Sequence, residues 1–197
     1  MRHSGRSVVA TRQRTFTTVG VIVFFVGAFV FVGTVKVLRG PDDLLKLAAW
    51  EMGGEYLGSD GVVLQSKNNN CGPAVLKMIL DHHKRTAPLR EIEQSVKPSE
   101  EGSSMLALKI VAESRGLHAE AWKLSLADLA KRTFPVIIFV ENRHFVVVDS
   151  LSDDGFFFVR DPAIGRIKMP QLRLTKIWKG ETLVLSVDQP RTSGFSE

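Results

Sequence analysis

The sequence predicts an α+β domain, N-terminal helices packed on an antiparallel sheet, preceded by one transmembrane helix. Three observations carry this. Between Ala74 and Ala112 apolar residues recur at helical spacing, and after Pro135 short β-branched and aromatic runs alternate with turn residues. Ahead of both, Thr15 to Val35 is a run of 21 residues without a charge. Helices first and sheet second is the α+β order.

The 197 residues have room for one domain and an appendage. Basicity is concentrated at one end: Arg2, Arg6, Arg12, Arg14, Lys36 and Arg39 precede the first acid, Asp42. Of the 26 lysines and arginines these six leave 20, against 21 acidic side chains, for the rest of the chain. The body has no cationic excess to neutralise a phosphate backbone, which excludes a nucleic-acid partner. A single cysteine forms no intramolecular disulfide, so the fold must hold by its core.

Residues 1–14 read as a basic tail and 15–38 as a transmembrane anchor, since about 20 residues at 1.5 Å each cross a hydrocarbon core. The run is longer than the apolar part of a secretory signal, and Val32-Gly33-Thr34-Val35 is a poor cleavage site. Four arginines before the run, against two basic residues and then Asp42 and Asp43 after it, place the N-terminus in the cytoplasm. The domain then lies outside, periplasmic or extracellular. Residues 39–60 read as a juxtamembrane helix and linker. Asp42 caps a helix with Leu44, Leu45, Leu47, Ala48 and Met52 on its apolar face, and four glycines mark loops before a strand at Val62-Val63-Leu64-Gln65.

The domain proper is expected over 61–188, with a flexible tail at 189–197. Asn70 is placed as an N-cap and Pro73 in the first turn of a helix that runs to Lys84 with one face in the core. His82 and His83, at the negative end of that helix, read as a terminal pair rather than metal ligands. A second helix spans 88–96. Ser103 or Ser104 caps a third that runs to Arg115 and is closed by Gly116, a strand follows at 118–123, and Ser125 caps a short helix at 126–131. Runs at 135–140, 144–149, 156–160, 166–169 and 182–187 then read as a meander.

The chemistry gathers at a few positions. Cys71 stands at a helix start, where unpaired N–H groups and the helix dipole stabilise a thiolate. A thiol nucleophile needs a base, and the base needs an orienter. His144 opens a strand at the sheet's edge. Alternation turns Asp149 away from it, whereas Asp161 ends the neighbouring strand across from it. Gln65, six residues before Cys71, brings a neutral side-chain donor that with the Cys71 N–H could hold an oxyanion.

These segments, Gln65 with Cys71-Gly72-Pro73-Ala74, His144-Phe145-Val146-Val147-Val148 and Asp161-Pro162-Ala163-Ile164-Gly165, resemble the bacteriocin-processing cysteine peptidases. These form a papain-like family, best known as N-terminal domains of transporters that cut leader peptides after a double glycine. The resemblance covers about residues 60–185. It implies a papain-like fold with Cys71 as nucleophile, His144 as general base, Asp161 as orienter and Gln65 as oxyanion-hole donor. It also implies peptide-bond hydrolysis with no cofactor or metal, a peptide or protein substrate, and a secretion-system partner. Asn70 stands where the family often has an acid, and no ATP-binding cassette follows, so a stand-alone membrane-anchored domain is expected. The alternative is a silent peptidase-like module that binds a peptide or secretion partner in the same groove.

Overall fold

The computed structural model describes residues 40–140 and 144–187. The basic tail, the anchor expected over 15–38 and the flexible tail lie outside them. Among the described residues no helix is long and apolar enough to cross a membrane. The chain divides into two compact units, Met1–Leu44 and Leu45–Glu197, and the elements that build the site lie in the second.

In chain order the elements are α1 (Pro41–Glu51), β1 (Glu55–Tyr56), α2 (Cys71–His82), α3 (Leu89–Val96), α4 (Met105–Ser114), β2 (Leu117–Lys123) and α5 (Leu126–Leu129). They continue with β3 (Val136–Val140), β4 (His144–Leu151), β5 (Phe156–Asp161), β6 (Gly165–Pro170), α6 (Gln171–Ile177) and β7 (Trp178–Val187). All seven strands form one antiparallel sheet in the order β1-β6-β5-β4-β3-β7-β2. The α+β expectation holds.

Alternation along β4 divides the core between the two faces of the sheet. Phe145 and Val147 face α2, α3 and α4, joining Leu76, Met78, Ile79, Leu108 and Leu183. Val146 and Val148 face the other way, toward Phe157, Ile167, Met169, Leu174 and Trp178, with Ala49 of α1 among them. α2 was expected to bury one face. It is instead buried from Cys71 to Leu76 and again from Met78 to Leu80, because the sheet, α3 and α4 surround it. Each fully buried Leu, Ile or Met there contributes roughly 1.5–3 kcal/mol. The helix ends at His82, two residues short of the expected Lys84, which takes a left-handed φ of 57°.

Other differences have local causes. Val62–Gln65 pairs with no strand and makes a single ladder-like contact, the Gln65 N–H donating to Pro162 O at 2.8 Å. β1, in a stretch expected to be loop, pairs with β6 through two residues. α6 was not anticipated, since seven residues starting after Pro170 leave too little sequence for a helical period to show. Nor is the sheet a simple meander. β3 to β6 are sequential, but β7 returns to lie between β3 and β2. The caps at Ser104 and Ser125 are as expected, each side chain accepting an N–H of its helix's first turn, though α5 stops at Leu129.

Candidate active site

Cys71 is the first residue of α2, and its side chain is 3% exposed. Asn70 occupies the N-cap position but does not cap as expected: its side chain makes no bond to the helix. Its Oδ1 accepts from the Lys67 N–H at 3.1 Å, and its Nδ2 donates to Ser66 Oγ at 3.2 Å and to Glu93 Oε1 of α3 at 2.7 Å. A buried amide is thereby satisfied without a carbonyl turned on the thiol, and the first-turn N–H groups are left for other acceptors. Gly72 is required beside it. A Cβ there would lie 2.6 Å from Ser103 Cβ and 2.5 Å from its Oγ, so the loop before α4 closes directly on the start of α2. Asn69 Nδ2 fastens that loop by donating to Ser99 O at 2.7 Å.

His144 opens β4, opposite Val140 of β3. Its Nε2–H donates to Asp161 Oδ1 at 2.8 Å, joining adjacent strands. Asp161 is fully buried. The same Oδ1 accepts the Ala163 N–H at 2.7 Å, an Asx turn that starts the tight link to β6. That link ends on Gly165, at φ 129°, where a Cβ would meet Gly58 O at 2.7 Å. The other ring nitrogen of His144, Nδ1, is left free of Asp161, and the ring is near enough to the Cys71 thiol for each to shift the other's ionisation. Cysteine, imidazole and carboxylate thus form one chain from a helix start through two strand ends.

The electrostatics follow. Burial of Cys71 opposes ionisation. Against it stand the hydrogen bond with His144, the Phe145 N–H, the imidazolium charge and the Gly72 N–H, and together they lower the thiol below its ordinary value. Burial likewise opposes protonation of His144. The bond to Asp161, the interaction with Cys71 and the charges of both partners together outweigh it and raise the imidazole to about 10. A thiolate beside an imidazolium is the state these opposed shifts favour.

Gln65 is held at the same place by its backbone, since Pro162, which accepts its N–H, follows Asp161 directly. Its side-chain Oε1 is buried without a hydrogen-bond partner among the described residues. So is Oδ2 of Asp161. A cavity of about 460 Å³ opens beside His144 and Asp161, walled by Ala48 of α1, Met52 just after it, Ile177 and Arg173 of α6, and Ile164. Asp149, judged a poor partner for His144, is bound elsewhere: Arg160 grips it through Nε and Nη2 at 2.7–3.0 Å.

The structure brings Cys71, His144 and Asp161 together and ties Gln65 to the same link by its backbone alone, on supports that the sequence did not show. The Phe145 N–H that helps to lower the thiol is a backbone group and leaves no mark in composition. The Asn70–Glu93 bond joins residues 23 apart that only the packing of α3 on α2 brings together. The one available signal was glycine next to the cysteine.

A thiol at a helix N-terminus, bound to a strand histidine that holds a buried carboxylate, is the arrangement of papain-like thiol peptidases. The chain belongs to the Peptidase C39 family, which matches residues 59–189. An uncharacterized protein of Methanothermobacter thermautotrophicus is 31% identical over 129 residues, 66% of this chain and 90% of that one. The probable functional amyloid protease FapD of Pseudomonas aeruginosa is 30% identical over 131 residues, 60% of this chain and 57% of that one. A solved structure of a double glycine motif protease from an AMS/PCAT transporter, in complex with the leader peptide, is similar at 30% identity and a TM-score of 0.62. It covers 64% of this chain and 91% of that one. The peptidase domain of Streptococcus ComA, at 22% identity and a TM-score of 0.60, attests the fold alone.

Proposed function

We infer that the protein is a membrane-anchored cysteine peptidase that cleaves an exported or membrane-proximal peptide, of which a leader peptide is one kind. The observation that carries this reading is the His144 ring, bonded to the buried Asp161 and electrostatically coupled to the Cys71 thiol at the start of α2. In the cycle the Cys71 thiolate attacks the scissile carbonyl carbon, forming a C–S bond and an oxyanion. The Cys71 N–H and the Gln65 side-chain amide hold that oxygen. Collapse breaks the C–N bond, and His144 Nδ1–H gives its proton to the departing amine. His144, now neutral, takes a proton from water as its oxygen attacks the thioester. The acid leaves and the thiolate–imidazolium pair returns. Asp161 keeps the ring in the tautomer that presents Nδ1.

Digestion of a peptide library, read by mass spectrometry, tests the reading. New termini with the full-length protein, absent with Cys71→Ala, are expected. A Cys71 no more reactive toward iodoacetamide than free cysteine, in a folded protein that cuts nothing, would overturn it. The anchor over 15–38 and a domain outside the cytoplasm rest on the uncharged run and its basic flank. Labelling of Cys71 in intact cells by a membrane-impermeant thiol probe is the expected result. Labelling only after the membrane is breached would reverse the orientation.

A further inference from the structure

α1 buries one side and leaves the other bare. Ala49 is fully buried and Leu45, Ala48 and Met52 pack beside it. At 100° per residue Leu47 and Trp50 point the opposite way, and they are 43% and 72% exposed. Leu44, one turn before Leu47 and Ala48, is 60% exposed. A tryptophan and two leucines in sequence on the solvent side of an 11-residue helix are costly in water, and tryptophan is the residue most suited to a membrane–water interface.

The chain's own arithmetic identifies what covers this face. Five residues, 36–40, separate the uncharged run from the start of α1. Fully extended they reach at most about 18 Å, past a headgroup zone about 5–8 Å deep, so α1 stays close enough to the bilayer to touch its surface. Two of the five, Lys36 and Arg39, suit phosphate headgroups. Between 36 and 52 three basic residues balance three acids, so net charge does not drive docking; Asp43 shares the face of Leu47 and Trp50 and sits at its N-terminal end.

We propose that α1 lies along the bilayer surface with Leu47 and Trp50 in the lipid interface. This rests on the anchor proposed above. The opposite side of α1, through Ala48 and with Met52 just after it, walls the cavity that opens beside His144 and Asp161. One helix diameter, about 10 Å, then separates the lipid from that cavity. The substrate this geometry favours is a peptide segment emerging from or lying on the membrane, rather than one free in solution.

Spin labelling of the full chain in phosphatidylcholine nanodiscs tests it. In a Cys71→Ala background, which removes the native thiol, Trp50→Cys carries a nitroxide, and Glu120→Cys on exposed β2 serves as the aqueous control. The expected result is a label at 50 that collides with oxygen and is shielded from a water-soluble nickel chelate, while the label at 120 is open to the chelate. The ratio of oxygen to nickel accessibility at 50 should exceed that at 120 about tenfold, and 0.5 M salt should leave it unchanged. Protein held in the membrane through alkaline carbonate extraction, with position 50 open to nickel, would overturn the docking and leave the anchor standing. Shielding from both reagents would mean that protein, the N-terminal segment or a second copy, covers the face, and would overturn it too. Release into carbonate would remove the anchor and the docking together.

Discussion

Two acidic pairs sit on one hairpin, β4–β5, and differ in what they leave unspent. Asp149 takes three hydrogen bonds from Arg160, whose Nη1 also donates to Gly61 O, and both partners are partly exposed. Nearly every polar atom of that pair has a use inside the fold. His144 and Asp161 share one bond, more deeply buried, and each keeps capacity in reserve: Nδ1 of the ring is not used by Asp161 and Oδ2 of the carboxylate has no partner among the described residues. A saturated pair fastens strands, whereas a pair with an open valence beside a thiol can carry a proton.

That contrast is open to experiment, beginning at the reactive end. Cys71→Ala should lower library cleavage on the order of 10⁴-fold or more, leaving circular dichroism unchanged. His144→Ala should cost about as much. It should also return the pH at which iodoacetamide alkylation of Cys71 is half-maximal to or above the ordinary thiol value of about 8.5, because burial would then stand without its strongest opposition. If alkylation in that variant kept the wild-type profile, the two pairs would not differ in the way described.

Asp161→Asn should cost between about 10² and 10⁴ in kcat and move the upper limb of the pH profile. His144 is raised to about 10, so cleavage should hold through neutral pH and fall as pH rises through 10, when the proton for the leaving amine is lost. Without the Asp161 carboxylate that limb shifts toward neutrality. The stability His144 contributes has the same sense. It is fully present below its unfolded value of about 6.5 and is lost as pH climbs to about 10. Urea melts of Cys71→Ala, where Asp161 is the raising partner that remains, should show a loss on the alkaline side that Asp161→Asn abolishes.

Gln65→Ala should cost about 10²–10³ in kcat and leave the alkylation profile alone, since the amide serves the oxyanion and not the thiol. The smallest effect on chemistry belongs to the saturated pair. Asp149→Asn should keep cleavage within about threefold and cost about 1 kcal/mol of stability in urea melts. A large loss of cleavage there would show that Arg160, through Gly61, positions Gln65 as well.

The helix behind Cys71 was legible because Asn-Cys-Gly-Pro ahead of an apolar stripe is a local signature, and β3 to β6 because alternation and turn residues are local too. The pairing of His144 with Asp161 was also within reach, since adjacent strands of a hairpin fix which residues can meet. Asn70 misled in part. Its residue type is right for a cap, yet the side chain answers Glu93, Ser66 and Lys67 instead, and which acceptor wins depends on α3 being packed alongside.

By itself, then, the chain determined its α+β class, its family, and the pairing of His144 with Asp161. All of these follow from patterns a few residues long and from their order. Only the tertiary structure decided that β7 enters the sheet between β3 and β2, that α2 is buried nearly all round, and that Asn70 answers Glu93 of α3. These are non-local. They depend on how elements tens of residues apart share one core, and no short stretch of sequence holds that information.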